Sequence, residues 1–450
     1  MGKIYNIAQF GAFDVNSFGD SMFPVAARTE LAKRVTVGEF ILFSPVGAEE
    51  SYNVNGRVYA YDDFNALHQK IGFDLIIIGG GEMFHFNPIA FDNKKDGRTE
   101  YAPGYIWREP VRYAMDHKIP YLFFGVGAPF SFSGEERDEV YHAVMHAVYT
   151  GVRDIYSLQR VEEVMKGKGS LTLQPDGLWL LDSYFDQKEL EQARNKLRRQ
   201  KGSFAESKYM VVQYGTTYQY RAVAKELKKV AKAKEWKIVL LPVNYCHEDI
   251  WALRLFYEEL GKEADFYDKL LQPLEITALI SGAKFFVGTS LHGNLVASLY
   301  GVKNLVFDMY GTFVSKMDGF LYWKGEVQHT TIQPECISGD IEKILASPPN
   351  IEQAEEIRRK LAICYDSMAR AIKGEGQEPF VSADNGGIPA GQKCYFTIYP
   401  DCGEIFSGVA IGQIEQNLIT FSLQLPKGKQ ANGMEVCLPL KEAVQLNIIA

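Results

Sequence analysis

The chain has few cysteines, no long apolar run and no excess of positive charge. Its six cysteines among 450 residues include no pair at C-x-x-C spacing and no accompanying histidine pattern. This argues against a zinc site or a disulfide framework. Lysine and arginine (48) are outnumbered by aspartate and glutamate (56), which gives a net charge of −8, and the basic residues are scattered. The sequence therefore lacks the electrostatic footprint of a nucleic-acid-binding protein.

Membrane-spanning and secreted classes are disfavoured in the same way. No apolar run approaches the length of about 18 residues that a transmembrane helix needs. The N-terminus has no basic segment followed by an apolar run and small residues, so it does not match a signal peptide. We predict a cytoplasmic protein, and peripheral contact with the inner face of the membrane stays open.

The length and the changing texture of the chain predict several domains. Short apolar runs that end in glycine alternate with helical patterns over residues 1–182 and again over 205–350. This predicts an α/β fold with two Rossmann-like domains facing a cleft. An amphipathic helix at 351–374 is expected to pack back on the first domain. Alternating runs in 377–450 predict a small C-terminal β-sandwich-like module. Whether the natural chain continues past Ala450 stays open.

The stretch around His292 is the strongest candidate site. An apolar run at 285–287 predicts a buried strand, and the helical pattern resumes directly after Ser290, His292 and Gly293. Side chains at the carboxyl end of such a strand face the ligand crevice, and the start of the following helix attracts anions. An imidazole there can donate to a phosphate or carboxylate, or transfer a proton near neutral pH. A core or capping histidine is the other interpretation.

Two strand ends in the first half carry acids. The apolar run 73–78 predicts a strand that is buried on both faces, and it leads into Gly80, Gly81 and Glu82. Glycines let the backbone approach a ligand closely. A carboxylate beside them can act as a general base toward a sugar hydroxyl, or can simply bind loop amides. Asp20 follows the turn after the first strand, where it is either a helix N-cap or a site acid.

Further candidates follow later strands. Arg153 ends a short strand and can hold a carboxylate or phosphate through paired N–H donors; the alternative is an Arg–Asp pair that braces a helix start. In the second half, Tyr214 begins a group of tyrosines that could stack on a sugar ring. His247 and Asp249 lie where a helix follows a strand. We predict that Tyr214, His247 and Asp249 contact an acceptor.

In chain order, these motifs resemble those of the polysaccharide pyruvyltransferase family. They are Asn-Ser-Phe-Gly-Asp at 16–20, Gly-Gly-Gly-Glu at 79–82, Gly-Val-Gly at 125–127, Val-Arg-Asp at 152–154, Pro-Asp at 175–176, His-Glu-Asp at 247–249 and Ser-Leu-His-Gly at 290–293. The resemblance covers roughly residues 1–372 and implies a GT-B-like fold. It also implies a transferase that moves the enolpyruvyl unit of phosphoenolpyruvate onto a sugar hydroxyl as a pyruvate ketal.

The resemblance also suggests roles for individual residues. Arg153 and His292 would hold the donor anion, within a donor site that also includes Ser290, Gly293 and the glycines at 80–81. Many family members carry an arginine two residues before the histidine. Ser290 stands there in this chain, so one cation of the expected anion site is missing. The acceptor would be a cell-surface glycan or its lipid-linked precursor, in exopolysaccharide or cell-envelope biosynthesis.

Ketal formation assigns the acid and base roles. The methylene carbon of the donor must gain a proton, and the sugar hydroxyl must lose one. We predict His292 as the acid and Glu82 or Asp20 as the base, with no metal and no cofactor. A role for His292 as an anion donor without proton transfer stays open.

Two other functions stay open. A GT-B glycosyltransferase would bind a nucleotide sugar at the helix start near His292 and Gly293, with Glu275 on the ribose. The missing arginine favours this interpretation. A non-catalytic glycan-binding protein is the second alternative. The sequence also leaves open whether the protein is a homo-oligomer.

Overall fold

The computed structural model describes residues 3–48, 56–87, 89–93, 97–169, 171–202, 207–246, 249–307, 316–325, 330–331, 333–348, 351–375, 393–398, 406–415, 418–422 and 435–439. It divides into two compact units, Met1–Glu375 and Gly376–Ala450. The first unit contains two parallel sheets, and the described strands of the second unit form one antiparallel sheet.

The first half of the larger unit alternates strands and helices. Its strands are β1 (Ile4–Phe10), β2 (Thr36–Ser44), β3 (Val58–Ala60), β4 (Leu75–Gly79), β5 (Ile89–Asn93), β6 (Gly97–Tyr101), β7 (Tyr121–Val126), β8 (Tyr149–Val152) and β9 (Leu171–Leu173). Its helices are α1 (Phe18–Ala32), α2 (Phe64–Ile71), α3 (Tyr105–His117), α4 (Glu135–His146) and α5 (Ile155–Met165), followed by a 3-10 helix at Gly177–Ser183.

Seven of these strands form a parallel sheet in the order β3-β2-β1-β4-β7-β8-β9. Strand β4 is buried at all five positions, as expected for a strand that is covered on both faces of a parallel sheet. Strands β5 and β6 form a separate antiparallel hairpin. The strand order reverses between β1 and β4, which is where open α/β sheets bind ligands.

The second half repeats this arrangement. Its helices are α6 (Gln187–Gln200), α7 (Tyr220–Lys234), α8 (Asp249–Leu260), α9 (Pro273–Ser281), α10 (Leu291–Leu299), α11 (Lys316–Lys324), α12 (Ile337–Ala346) and α13 (Ile351–Ile372). Its strands are β10 (Tyr209–Gln213), β11 (Lys237–Leu240), β12 (Ala264–Phe266), β13 (Phe285–Gly288), β14 (Asn304–Phe307) and β15 (Thr330–Thr331). They form a second parallel sheet in the order β12-β11-β10-β13-β14-β15, which reverses between β10 and β13.

The long helix α13 returns to the first sheet. Its buried residues recur at helical spacing and give it one apolar face. Tyr365 packs against Phe124 of β7 with ring centroids 5.6 Å apart. Arg358 donates to Asp182 at 3.1 Å. Helix α13 therefore holds the end of the second domain against the first.

The smaller unit is described only by its strands. They are β16 (Lys393–Ile398), β17 (Phe406–Glu415), β18 (Leu418–Ser422) and β19 (Glu435–Pro439), and they pair in sequence order as an antiparallel sheet. The β-sandwich expected for 377–450 therefore stays a prediction. Within the described residues, no helix is long and apolar enough to cross a membrane.

Candidate functional site

In each parallel sheet the carboxyl ends of the strands form the edge where ligands bind, called here the ligand edge. The ligand edges of the two sheets meet through the loops that follow the strands. The loop after β1 contacts the loop after β11 by backbone hydrogen bonds: Phe18 N–H donates to the Val243 carbonyl at 3.2 Å, and Tyr245 N–H donates to the Asn16 carbonyl at 2.8 Å. Both loops leave the carboxyl ends of their strands: β1 lies where the order of the first sheet reverses, and β11 lies one strand from the reversal in the second sheet. The side chains of the two edges therefore face one site, as the sequence predicts for a cleft between two Rossmann-like domains.

His292 crosses from the second domain to the first. It lies in the first turn of α10 and its side chain is 12% exposed. A Cβ on Gly19 of α1 would lie only 1.9 Å from His292 Nδ1, so the imidazole packs against a position that tolerates glycine alone. Phe23, one turn later, contacts the ring edge-to-face at 5.5 Å. The histidine is thus held by the domain opposite its own.

Asp176 is the charged neighbour of His292. Its Oδ2 lies 3.4 Å from His292 Nε2, and its Oδ1 accepts from Leu178 N–H at 2.9 Å. Burial raises the pKa of the Asp176 carboxyl, but His292 and Arg153 outweigh burial and bring this pKa below its usual range. Asp176 Oδ2 and His292 Nε2 are close enough for charge attraction but do not complete a hydrogen bond in this structure. An ionised carboxylate at this position offsets positive charge on the imidazole.

Arg153 and Lys316 bind the same carboxylate. Arg153 Nη2 lies 3.1 Å from Glu82 Oε1, and Lys316 Nζ lies 3.0 Å from Glu82 Oε2. The Arg153 side chain is 4% exposed and packs flat on Gly127, where a Cβ would lie 2.9 Å from Nε. Trp323 Nε1 donates to the Arg153 carbonyl at 2.8 Å. Residues from both domains therefore build one cationic pair.

The charge state of Glu82 bears on its predicted role as a base. Burial raises the pKa of this carboxyl, but Lys316 and Arg153 overcome burial and lower the pKa to about 2. A carboxylate with so low a pKa has little affinity for a proton, and a general base works best near the operating pH. In this arrangement Glu82 is better suited to holding two cations than to accepting a hydroxyl proton.

The bracing interpretation of the Arg153–Asp154 pair is seen in the structure, and the role of Arg153 as a clamp on a ligand carboxylate or phosphate stays a prediction. Asp154 caps α5, since its Oδ1 accepts from Ser157 N–H at 2.7 Å. Its Oδ2 lies 3.5 Å from Arg153 Nε. Arg153 is nevertheless directed to Glu82. The capping residue Asp154 thus contacts Nε of the guanidinium, and Nη2 of the same group reaches Glu82.

Asp20 and the predicted glycine loop lie on the first-domain side. Gly80 and Gly81 have φ values of +96° and +91°, which favour glycine. A Cβ on Gly80 would lie 2.3 Å from Phe23, and a Cβ on Gly81 would lie 2.9 Å from Asp20 Oδ1. The absence of side chains at Gly80 and Gly81 therefore leaves room for Asp20 and for Phe23, which packs against His292. The Asp20 carboxylate, in the first turn of α1, has no hydrogen bond or ion pair within the described residues.

Ser290 and Gly293 shape the start of α10. Ser290 Oγ accepts from Gly293 N–H at 3.3 Å, which makes Ser290 the N-cap. A Cβ on Gly293 would lie 2.5 Å from Phe286 of β13. Both residues position the helix that carries His292, and Ser290 supplies no positive charge.

Three predicted residues lie outside this cluster. Glu275 forms a capping box at the start of α9, where its Oε2 accepts from Gln272 N–H at 2.9 Å. Tyr214 has no exposed surface and packs in the core of the second domain, so its ring is unavailable to an acceptor in this structure. Asp249 is 1% exposed and accepts from Val243 N–H at 3.0 Å. His247 lies outside the described residues.

Sequence reasoning missed Lys316 and gave Asp176 no role. Lys316 begins α11, 234 positions from Glu82, and no local motif marks it. Asp176 belongs to the Pro-Asp motif at 175–176. The sequence signal that could have identified it as a site residue is an acidic side chain shortly after a predicted strand. Together with Arg153, they line a small cavity that is completed by Leu291, Phe320 and Trp323. No group of three or more metal-ligating side chains occurs in the described part of the chain.

The sequence model of the polysaccharide pyruvyl transferase family matches residues 18–309. The matched range covers more than half of the 450 residues and contains Asp20, Glu82, Arg153 and His292. The chain belongs to the polysaccharide pyruvyl transferase family. It is therefore a transferase that acts on glycans, and the resemblance of its motifs to this family is confirmed.

Solved structures that resemble this pyruvyl transferase family member share its fold. The S. aureus MnaA–UDP co-structure matches with a TM-score of 0.51 at 10% identity, over 83% of this chain and 96% of that chain. A putative UDP-N-acetylglucosamine 2-epimerase from Listeria monocytogenes matches with a TM-score of 0.51 at 9% identity, over 84% and 99%. These likenesses confirm the GT-B-like α/β fold. No curated protein sequence is significantly similar to the chain.

Proposed function

We propose that this protein transfers the pyruvyl group of phosphoenolpyruvate to a sugar hydroxyl. The observation that carries the proposal is the convergence of Arg153 and Lys316 on the Glu82 carboxylate, in the cleft that His292 enters. Phosphoenolpyruvate carries a phosphate and a carboxylate, and cationic N–H donors are the groups that bind both. Lys316 supplies a second cation in a chain whose family motif has Ser290 in place of arginine.

The proposed reaction begins with a proton from His292. It adds to the methylene carbon of the donor, and a sugar hydroxyl adds to the neighbouring carbon, which bears the carboxylate. The carbon–oxygen bond to phosphate then breaks, and phosphate leaves with the proton of the first hydroxyl. A second sugar hydroxyl closes the ketal, and its proton restores His292. Asp176 offsets the charge on His292 before the proton moves. Arg153 and Lys316 hold the donor anion and the leaving phosphate.

Asp20 is the better candidate for the base. Glu82 is occupied by two cations and has a pKa of about 2. The Asp20 carboxylate is next to the glycine loop, and its oxygens have no partner within the described residues. We therefore assign removal of the hydroxyl proton to Asp20 and retention of the two cations to Glu82.

The wider setting follows from the same proposal. We propose a cell-surface glycan or its lipid-linked precursor as the acceptor, in exopolysaccharide and cell-envelope biosynthesis in the cytoplasm at the inner face of the membrane. The proton transfers and the anion site described above require no metal. We also propose that residues 377–450 form a β-sandwich.

Ligand-induced thermal stabilisation tests the donor. A ligand at about 100 times its dissociation constant adds roughly 2.7 kcal/mol to the free energy of unfolding. We expect phosphoenolpyruvate to stabilise the wild type and to have little effect on Lys316→Ala. The matched control is Lys343→Ala, whose side chain is 80% exposed on α12 and should leave the stabilisation unchanged. Stabilisation by nucleotide sugars alone would overturn the proposal in favour of a glycosyltransferase.

A further inference from the structure

Two loops of the first domain leave the sheet together beside the charged cluster. Strands β4 and β7 are neighbours, and the loops after them are joined by backbone hydrogen bonds. Phe84 N–H donates to the Gly127 carbonyl at 3.0 Å, and Gly127 N–H donates to the Gly81 carbonyl at 2.8 Å. Glu82 belongs to the first loop, and Arg153 packs on the second. Side chains farther along both loops therefore lie next to the reacting groups.

Phe130 is an exposed aromatic side chain on the second of these loops. It is 53% exposed, whereas Phe132, two residues later, is buried. No other phenylalanine whose side chain is described reaches this exposure. Leaving a phenyl ring in water forgoes about 1.5–3 kcal/mol of burial. A single exposed ring is ordinary on a protein surface, and what distinguishes Phe130 is its position on the loop that is hydrogen-bonded to the Glu82 loop.

His85 on the first loop meets Phe130 edge-on. Their ring centroids are 6.4 Å apart at an interplanar angle of 86°. His85 Nδ1 accepts from Asn87 N–H at 3.1 Å, so the Nε2 nitrogen carries the proton of the neutral ring. Burial lowers the pKa of His85 more than Glu82 raises it, and the ring is neutral at pH 7. Trp107 Nε1 donates to the His85 carbonyl at 3.0 Å and fixes the loop.

We propose that His85 and Phe130 bind the pyranose ring of the acceptor sugar. A pyranose has an apolar C–H face and hydroxyl groups at its edge. Phe130 stacks on this face, and His85 Nε2–H donates to a ring substituent at the edge. The two side chains have the amphipathic chemistry of sites that pair an apolar surface with one oriented polar group.

The charges of the site separate this surface from the donor site. Phosphoenolpyruvate needs cations, which Arg153 and Lys316 provide, and a neutral imidazole with a phenyl ring provides none. A sugar seated on Phe130 would present a hydroxyl to the cluster around Glu82. The inference rests on the proposed function, because it names the acceptor surface of the same site.

Direct sugar binding tests this surface without any donor. Methyl pyranosides of glucose, galactose, mannose and their N-acetylamino forms are titrated by NMR, and the tightest is carried forward. We expect Phe130→Ala to weaken its binding at least about tenfold, because the stacked face is lost. Phe130→Tyr keeps the ring and should bind like the wild type. His85→Phe should also weaken binding, because it keeps an aromatic ring and removes the N–H donor.

The control variant is Trp251→Ala, which removes an aromatic side chain that is 57% exposed on α8. It should not change pyranoside binding. Equal affinities in Phe130→Ala and wild type, or no binding of any pyranoside by the wild type, would overturn the inference. Phosphoenolpyruvate stabilisation is measured on the same variants and should be unaffected. If Phe130→Ala loses sugar binding while phosphoenolpyruvate does not stabilise the wild type, the proposed acceptor surface is supported and phosphoenolpyruvate is rejected as the donor.

Discussion

The two parallel sheets share a strand order but differ in what their ligand edges carry. The first edge is charged: Glu82, Arg153 and Asp176 leave its strands. Glu82 pairs with Arg153 on the same edge, and Asp176 and Glu82 reach His292 and Lys316 across the cleft. The second edge is largely a network of buried hydrogen bonds around Gln213, and within the described residues it sends His292 and Lys316 against the first domain. The first domain thus provides most of the charges of the site, and the second adds one imidazole and one ammonium group.

The network of the second edge is centred on Gln213, at the end of β10. Its Oε1 accepts from Ser290 N–H at 2.7 Å and from Thr289 Oγ1 at 3.3 Å. Its Nε2 donates to Asp249 Oδ2 at 3.0 Å. One buried side chain therefore ties the ends of three strands to the start of α10. Gln9 is its counterpart on β1 of the first sheet, and it makes one such bond, to the Gly79 carbonyl at 3.3 Å.

The largest expected effect comes from displacing the His292 side chain, through which the second edge contacts α1 of the first domain. We expect Gly19→Ala to abolish most activity, because its Cβ would overlap the imidazole at 1.9 Å. We expect His292→Gln to lower kcat about 10²–10⁴-fold, because the proposed general acid is lost. The measurement is steady-state kinetics together with thermal unfolding. Gly339→Ala on α12 is the control, since no atom lies within 4 Å of its Cβ. Full activity of Gly19→Ala would show that the position of His292 is unimportant.

The next test compares the two glutamines. Gln213→Met leaves the Ser290 amide and an Asp249 oxygen short of a buried partner, which should cost about 2–4 kcal/mol of unfolding free energy. Gln9→Met removes a single long bond from a side chain whose Oε1 is already unpaired, and should cost about 1 kcal/mol or less. Urea unfolding measures both. Equal losses would mean that the second edge is no more dependent on its network than the first.

Local sequence signals predicted the fold and the presentation of His292. Strand, glycine turn and helix are encoded within about 20 residues, so the turn at Ser290 and the helix after it could be inferred without a structure. The same local chemistry explains Glu275, whose Gln-x-x-Glu spacing to Gln272 is that of a capping box. Tyr214 was misjudged because a tyrosine at the end of a buried strand packs as readily in a core as on a surface.

Lys316 and the low pKa of Glu82 could not be predicted because they depend on docking between domains. Apart from the neighbouring pair Arg153–Asp154, the ionic contacts of the cluster join residues that are far apart in the chain, and no local sequence motif specifies them. Glu82 looked like a base as long as its cations were unknown. The charge network around a site is therefore the part that most requires a structure.

The smallest expected effect concerns another acid of the first edge, Asp14, in the loop after β1. Burial raises the pKa of its carboxyl to about 6, against the opposing effect of the Val46 amide, which donates to Oδ2 at 3.0 Å. The folded state then binds more protons than the unfolded state between about pH 4 and 6. Asp14 should therefore lower stability as pH rises through this window, unlike Glu82, whose lowered pKa adds stability above its unfolded value.

Asp14→Asn removes the titration and keeps an oxygen for the Val46 amide. We expect the variant to exceed the wild type by about 1–2 kcal/mol at pH 7.5, after allowance for partial solvent exposure, and to match it near pH 4. Urea unfolding across pH 4–8 gives both slopes, with Asp116→Asn, whose side chain is 57% exposed, as the control. Parallel slopes for wild type and Asp14→Asn would show that this loop does not hold a destabilised carboxylate. The charge of the first edge would then be confined to the groups that contact His292, Arg153 and Lys316.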